Sequence, residues 1–460
     1  MSLDLAEITA HGFHRSAISA TAGKSPLANA DGLLDLSWFR SIYPSLAFND
    51  IGVPGEQGFG VGICPAVPAG FTPLPGCTDK ASDNYGNYQF SDGSIMVWVP
   101  AYYYKYGTGA NGLAVNVPGI KPLAAYPDAI TAVVDGYVIH RAFYNKGRVQ
   151  PGVFVDKHQC SNNGGIASSI KNGNPLSSNS VHNPFSGLTG NTTADNFYHG
   201  AIKSAKTRNT ATRKFFCNTR FIFAALALLS LAHANASTAT TYCAWYDATY
   251  NFPKGNNNNA LKDANDLTVI YTSDGYSNAG KTGSGALFAK TTHNGQNCGI
   301  ADLNGNMWEI NLGLTSNGTN YYLLNTDVDV ADITGGNTLA TDAWGATGLA
   351  AMYTSIGATY GALLASSTIK LFGNAAQVLS EATSGTAWVA AGAGIPLAGG
   401  VGGSNQFGSN GLWDYRPNEC CVISGGSWSL AGDAGVWTLN LPGVRGNSSS
   451  TVGFRSASFL

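Results

Sequence analysis

Few residues in this 460-residue chain are able to do chemistry, and their spacing limits what that chemistry is. Eight cysteines occur, Cys64, Cys77, Cys160, Cys217, Cys243, Cys298, Cys420 and Cys421, with no C-x-x-C pair among them. That spacing gives no structural zinc site. Cys420 and Cys421 are adjacent, which suits buried small apolar residues better than a disulfide. A chain this long builds a core without staples, so reduced thiols are expected. Glu309 stands beside Trp308 in ADLNGNMWEINLG, Ala301 to Gly313, in a chain where Glu is scarce. Arg445 and Arg455 lie further on, and the five donors of a guanidinium suit it to tying loops to carbonyls or carboxylates. A structural ion pair with Glu309 is expected in preference to a catalytic acid.

The stretch from Gly425 to Leu460 reads GGSWSLAGDAGVWTLNLPGVRGNSSSTVGFRSASFL. Gly425 and Gly426 allow a turn with positive φ before a strand. Trp428 and Trp437 are large apolar anchors for a core. Gly453-Phe454-Arg455 reads as a final strand with Phe454 inward. Between these points lie small residues without pattern: Ser429-Leu430, Asp433, Pro442-Gly443, and Ser449 to Thr451. The segment looks like a rigid frame around arbitrary contents.

The elements that must hold this frame are legible in outline. Hydrophobic residues make up 44% of the chain, enough for a sizeable core. Charged residues make up only 11%, and 58 glycines point to many loops. The net charge of −2 gives no general attraction to nucleic acid or to anionic membranes. The start, MSLDLAEITAHGFHR, lacks the apolar core of a signal peptide. Inside the chain, FIFAALALLSLAHANA from Phe221 to Ala236 imitates one, but its apolar run is shorter than the ~20 residues a membrane span needs. A buried helix running on through His233 is expected, with no membrane insertion. IMVWVP, Ile95 to Pro100, predicts a strand and the start of the main domain, and 129–156 predicts more strands. Residues 157–200 read as a long surface insertion and the basic stretch 203–220 as a solvated loop. Residues 254–300 and 330–405 read as further loop-rich segments, and no repeat of 20–50 residues is visible. The result is an α+β domain over 95–460, with a Pro/Gly-rich β connector at 43–94 and an attachment or oligomerisation arm at 1–42. The arm carries a short apolar patch, Leu36, Trp38 and Phe39, too small to form its own core.

Three pieces recur in an order that resembles a known family: the helix around Arg213 to Ala234, the D-x-x-G-N-x-W-E segment at Asp302 to Glu309, and the closing ISGGSW, VR and VGFRSAS. They resemble the formylglycine-generating-enzyme type of C-type lectin fold, over roughly residues 95–460 and with insertions. That family's enzymes carry two cysteines two and seven positions after the aromatic of the GGS element. Leu430 and Gly435 stand there in this chain, so the resemblance implies the fold without the oxidase chemistry. Relatives of this fold can hold calcium near the G-N-x-W-E segment, which would place oxygen ligands at Asn304, Asn306 and Glu309. A hydrogen-bonded turn without metal or other cofactor is the expectation.

The ending also resembles the variable proteins of diversity-generating retroelements, among them phage tropism determinants at tail-fibre tips. In that group, an error-prone reverse transcriptase rewrites template adenines while the scaffold holds the backbone. Changing adenines in an Asn codon cannot yield Lys, Glu, Gln, Met or Trp. From Val422 to Leu460 there is no Lys, Glu, Gln or Met, and both tryptophans fall on frame positions. The resemblance implies a variable region at about 412–455. Asp414, Ser429, Leu430, Asp433, Thr438, Pro442, Gly443, Ser449 and Thr451 would vary on one exposed face, framed by Trp413 and Tyr415. Gly425, Gly426, Trp428, Trp437, Arg445, Phe454 and Arg455 would be scaffold. It also implies a non-enzymatic homotrimer on a virion that binds a host cell-surface protein or glycan and attaches to other tail proteins. Display on a bacterial cell surface is the alternative location, and a non-diversified structural lectin-like protein of the virion or surface is the alternative role.

Overall fold

Ile95–Pro100 forms the strand its sequence predicts, and its alternation divides two cores. Met96 and Trp98 point into an aromatic cluster with Phe71, Tyr88, Phe90, Phe154 and Phe215. Val97 and Val99 point the other way, into the main core. Successive side chains of a strand face opposite sides of the sheet, so a continuously apolar run belongs in a sheet covered on both faces. The computed structural model describes residues 49–191, 195–247, 252–334, 349–361, 363, 368–373, 376–397 and 405–460. The expected arm at 1–42, with Leu36, Trp38 and Phe39, lies outside the described residues.

The chain is mixed helix and sheet, with few helices and many short strands in several small sheets. Two of those sheets have six strands each. Their strands, in chain order, are β1 (Phe71–Pro73), β2 (Asn87–Phe90), β3 (Ile95–Pro100), β4 (Gly152–Asp156), β5 (Phe216–Cys217), β6 (Trp308–Asn311), β7 (Lys370–Leu371), β8 (Gly411–Trp413), β9 (Val422–Gly425), β10 (Gly435–Asn440), β11 (Val452–Gly453) and β12 (Ser456–Ser458). The first sheet is ordered β1-β2-β3-β4-β12-β5 and is antiparallel throughout. The second is ordered β7-β8-β10-β9-β6-β11, with parallel pairs at β8–β10 and β6–β11. The final strands are therefore shared: β11 closes one sheet and β12, three residues on, enters the other. β1 and β2 come from the segment expected as a connector, and they pair directly into the first sheet.

Four helices are present among the described residues: α1 (Ala129–Val134), α2 (Phe197–Lys206), α3 (Arg220–Ala236) and α4 (Gly385–Gly392). α3 is the expected buried helix and includes His233. Its Ala- and Leu-rich sequence favours helix and offers an apolar surface nearly all round, as a helix inside a core requires. The Thr219 hydroxyl caps it by accepting from Ile222 N at 3.2 Å. Among the described residues no helix is long and apolar enough to cross a membrane. Thr219→Ala is expected to cost about 1 kcal/mol of stability, the worth of an N-cap. Urea unfolding checks this, and an unchanged midpoint would count against the cap.

Two expectations fail here. Residues 157–200 are not a surface insertion, since Ala167, Leu176, Phe185 and Leu188 are buried in the main core. The basic stretch is not a solvated loop either. Arg208 and Arg220 are buried, and only part of the stretch, such as Lys214 paired with Asp332 at 2.7 Å, stays at the surface. Arg208 is held by Asp92 at 3.0 Å and Asp156 at 2.7 Å. Arg220 instead donates to Ala393 O and Ser424 Oγ at 2.8 and 2.9 Å. A charge run is usually solvated, but here distant acceptors compensate the buried donors. All eight cysteines are buried and free, and burial pushes the Cys421 thiol up to about 12.

Candidate ligand-binding face

The D-x-x-G-N-x-W-E segment is a tight turn leading into β6. Asp302, Gly305 and Asn306 all have positive φ. A Cβ on Gly305 would meet Asn256 O at 2.4 Å, so only glycine fits. The Asn306 side chain is fully used. Its oxygen accepts from Gly280 N and Asn256 Nδ2 at 2.8 and 3.1 Å, and its nitrogen donates to Gln159 Oε1 and Gly280 O, both at 3.0 Å. Glu309 takes the Arg455 Nε at 2.6 Å and an Arg455 Nη2, with both side chains buried. This is the structural ion pair expected for Glu309. The partner is Arg455, because Arg445 pairs with Glu419. Asn304 donates to Pro253 O, and its Oδ1 is buried without a partner. One unshared amide oxygen falls far short of the six to eight oxygens calcium takes. Among the described residues, no group of three His, Cys, Asp or Glu side chains is placed to hold a metal. As arranged, Asn304, Asn306 and Glu309 do not fit calcium.

The same turn anchors two C-terminal loops. Trp428 N donates to Asn306 O at 2.9 Å, and Trp308 N donates to Thr451 O at 2.9 Å. The loops 428–433 and 448–451 are thus fastened two residues apart on one rigid segment. Gly425 and Gly426 start the first loop at φ +89° and +92°. A Cβ on Gly426 would lie 2.6 Å from Ala434 Cβ, where the chain returns. Ser429 is exposed, and Leu430 and Asp433 are half-buried. Partial burial pushes the Asp433 carboxyl up. In the second loop Ser449 and Thr451 are half-buried, with their hydroxyls 2.9 Å apart. Ser449 N donates to Ser178 Oγ at 3.0 Å. His182 lies 2.9 Å from Ser450 O through Nδ1 and 2.6 Å from Asp274 through Nε2, and its ring stacks on Tyr276 at 4.2 Å. Pro442 is half-buried in the turn after β10.

Three of the expected variable positions are not on this face. Asp414 is fully buried and paired with Lys370. Thr438 is fully buried in β10, between β8 and β9, and its hydroxyl donates to Asp433 O at 2.6 Å. Gly443 is buried, and a Cβ there would meet Cys421 O at 2.9 Å and the Phe197 ring at 3.1 Å. The Thr438 side chain is turned into the core with its hydroxyl already used, and a glycine pressed on backbone admits no side chain. Among scaffold positions, Gly425, Gly426, Trp437, Arg445, Phe454 and Arg455 are buried. Trp428 departs from its expected role as a core anchor, being half-buried, whereas Trp437 packs between Phe372 and Phe407 at 5.3 and 5.4 Å. Of the framing aromatics, Tyr415 is 43% exposed. Trp413 is half-buried with its ring 6.0 Å from Trp308.

His182 and Asp274 support the second loop, and the sequence carried no signal for them. They lie 92 positions apart in segments read as loops. A cleft of ≈ 510 Å³ beside Asn325, Ile356 and Trp388 contains none of the sequence-derived candidates. Comparison with protein-family models finds none that matches this chain, and comparison with curated proteins finds no relative.

Proposed function

We propose that the chain is a receptor-binding protein, displaying a retroelement-diversified face on a C-type lectin scaffold of the formylglycine-generating-enzyme type, at a phage tail-fibre tip. The observation that carries this reading is the division of the C-terminal segment. Gly425, Gly426, Trp437, Arg445, Phe454 and Arg455 are buried, while Ser429, Leu430, Asp433, Pro442, Ser449 and Thr451 reach the surface on or beside loops held by backbone hydrogen bonds. Backbone anchoring at Asn306 and Trp308 fixes the ends of the loops whichever side chains they carry, although in the second loop Ser449 Oγ also accepts from Thr451 N at 3.2 Å. The reading is of recognition without chemistry, consistent with Leu430 and Gly435 where the family's oxidases carry cysteines. A homotrimer would multiply weak contacts with a host protein or glycan by avidity.

Two experiments test it. Coding DNA from many members of one population should show substitutions clustered at the six surface positions, matching adenines of a nearby near-repeat. An invariant region with no such repeat would reject diversification. Replacing Ser429, Leu430, Asp433, Ser449 and Thr451 together by Ala should weaken host-cell binding more than about tenfold. Surface changes of this kind move stability by only about 0.5 kcal/mol each. Unchanged cell binding would reject the face.

A further inference from the structure

Beside the segment before the Asp302 turn, where Ala301 N donates to Lys157 O at 2.9 Å, the end of β4 delivers an unusual residue into a cleft of ≈ 360 Å³. Lys157 follows the buried strand and is itself buried. Its ammonium donates to Asn87 Oδ1 and Asn297 O, both at 2.7 Å, and reaches Asp83 O only at 3.5 Å. An ammonium has three donors, so one is left without a good acceptor. Lys171 enters the same cleft from an exposed turn, and among the described residues it has no hydrogen bond or ion pair. The two ammonium groups lie 5.4 and 5.1 Å from the centre of one ring, Phe288. His158 closes the wall behind that ring at 5.9 Å.

Two cations gathered on one aromatic ring, with no carboxylate paired to either among the described residues, repel each other unless an anion sits between them. Burial, reinforced by the charge of Lys171, lowers the Lys157 ammonium to about 8 against the opposing pull of Asp83. Bringing in an anion relieves both costs. The rest of the lining suits something larger than a bare oxyanion. The cleft has room for roughly a dozen water molecules. In its lining Asn297 Nδ2 donates to Asp83 Oδ1 at 3.0 Å and Asn84 Nδ2 to Pro75 O at 2.9 Å, which leaves the two amide oxygens and the second Asp83 oxygen for hydroxyl groups, with Leu74 and Ile95 for an apolar face. Small-ligand sites combine apolar walls with a few convergent polar groups in this way.

We propose that this cleft binds an acidic monosaccharide unit, its carboxylate held between Lys157 and Lys171 and its hydroxyls met by Asp83, Asn84 and Asn297. The site is separate from the C-terminal loops and does not depend on their being diversified. Saturation-transfer NMR and calorimetry on the full chain test it with sodium glucuronate, glucose and inorganic phosphate. Glucuronate is expected to bind with a Kd of about 1 mM, a value typical of one shallow site, and glucose at least about tenfold more weakly. Lys171→Ala, at an exposed position, should reduce glucuronate affinity about tenfold, the loss of one ion pair desolvated by the ligand, with unchanged thermal unfolding. Lys157→Met should abolish binding. Absence of glucuronate binding, equal binding of glucose, or unchanged affinity in Lys171→Ala would overturn the proposal. Phosphate binding as tightly as glucuronate would also overturn it, by reducing the cleft to a simple anion site.

Discussion

Replacing Glu309 with Ala is expected to lower the free energy of unfolding by about 3–5 kcal/mol, because it leaves a buried guanidinium without its counter-charge. Asp302 and Asp156 add to the favourable field at Arg455, but among the described residues no hydrogen bond joins either carboxylate to its guanidinium. Two of its other donors go to backbone carbonyls, Nη1 to Asp156 O at 2.9 Å and Nη2 to Ala301 O at 2.8 Å. The Asp156 side chain, in turn, is held by Arg208 at 2.7 Å and receives Ser456 N at 2.8 Å. Glu309 lies on β6 of the second sheet, and Arg455 sits between β11 and β12, so the pair joins the two sheets where the chain crosses between them. A loss of this size is a large share of the about 5–15 kcal/mol that holds a typical domain folded. Glu309→Gln keeps the shape and one acceptor and should lose less. Chemical denaturation of both variants decides the matter. A loss below about 1 kcal/mol for Glu309→Ala, the range of a solvated surface pair, would show that the ion pair is dispensable.

The second large effect is acid lability between pH 6.5 and about 4. Three buried histidines each accept a backbone N–H at Nδ1. Ala142 N donates to His140 at 3.2 Å, Gly55 N to His233 at 3.0 Å and Ile300 N to His293 at 3.0 Å. The opposite nitrogens of His233 and His293 face Tyr242 O at 2.6 Å and Gly60 O at 3.1 Å. Each ring is therefore held neutral, and a proton on Nδ1 would point at another N–H. Burial pushes His140 down to about 3, and His233 and His293 to about 4. In the unfolded chain each titrates near 6.5, so below that pH the unfolded state binds more protons and stability falls as pH drops. The contribution is complete above pH 6.5 and lost as pH approaches 4. A drop from 6.5 to about 4 is worth about 3 kcal/mol per ring when fully expressed, at about 1.4 kcal/mol per pH unit. Asp156 and Asp302, pushed up by burial, act with the opposite sign. Urea midpoints at about pH 7 and about pH 4.5 should differ strongly. His233→Gln should reduce that difference, and equal midpoints in the parent protein would refute the assignment. The contacts at risk are those of residues 55–60, which His233 and His293 fasten to α3 and to the segment before the Asp302 turn.

These results separate what local sequence specifies from what packing decides. The α3 helix was legible because a run of Ala and Leu favours helix whatever surrounds it. β3 was legible for the same kind of reason, its β-branched and aromatic residues favouring a strand. The need for glycine at Gly425 and Gly426 could also be read, since a chain reversal ahead of a strand calls for positive φ.

The failures share one cause, which is that burial is set by neighbours far away in sequence. Asp414 and Thr438 read as loop contents, but Lys370 pairs with one and the core buries the other, whose hydroxyl goes to Asp433 O. Trp428 and Trp437 look equivalent in the frame, yet only Trp437 finds Phe372 and Phe407 around it. Arg208 read as a solvated charge until Asp92 and Asp156, 116 and 52 positions away, came to meet it.

By itself, then, the sequence determined the helix, the central strands, the buried frame residues of the C-terminal segment other than Trp428, and the presence of a buried pair at Glu309, because propensity, periodicity and the cost of an unpaired charge act locally or by residue type. Only the tertiary structure decided that Arg455 is the partner, which loop residues reach solvent, and that Lys157, Lys171 and Phe288 share a cleft. Each of those depends on side chains brought together from segments 14 to 146 positions apart in the chain. No periodicity in sequence records distances of that kind, because they are set by how the two sheets and α3 pack into one core.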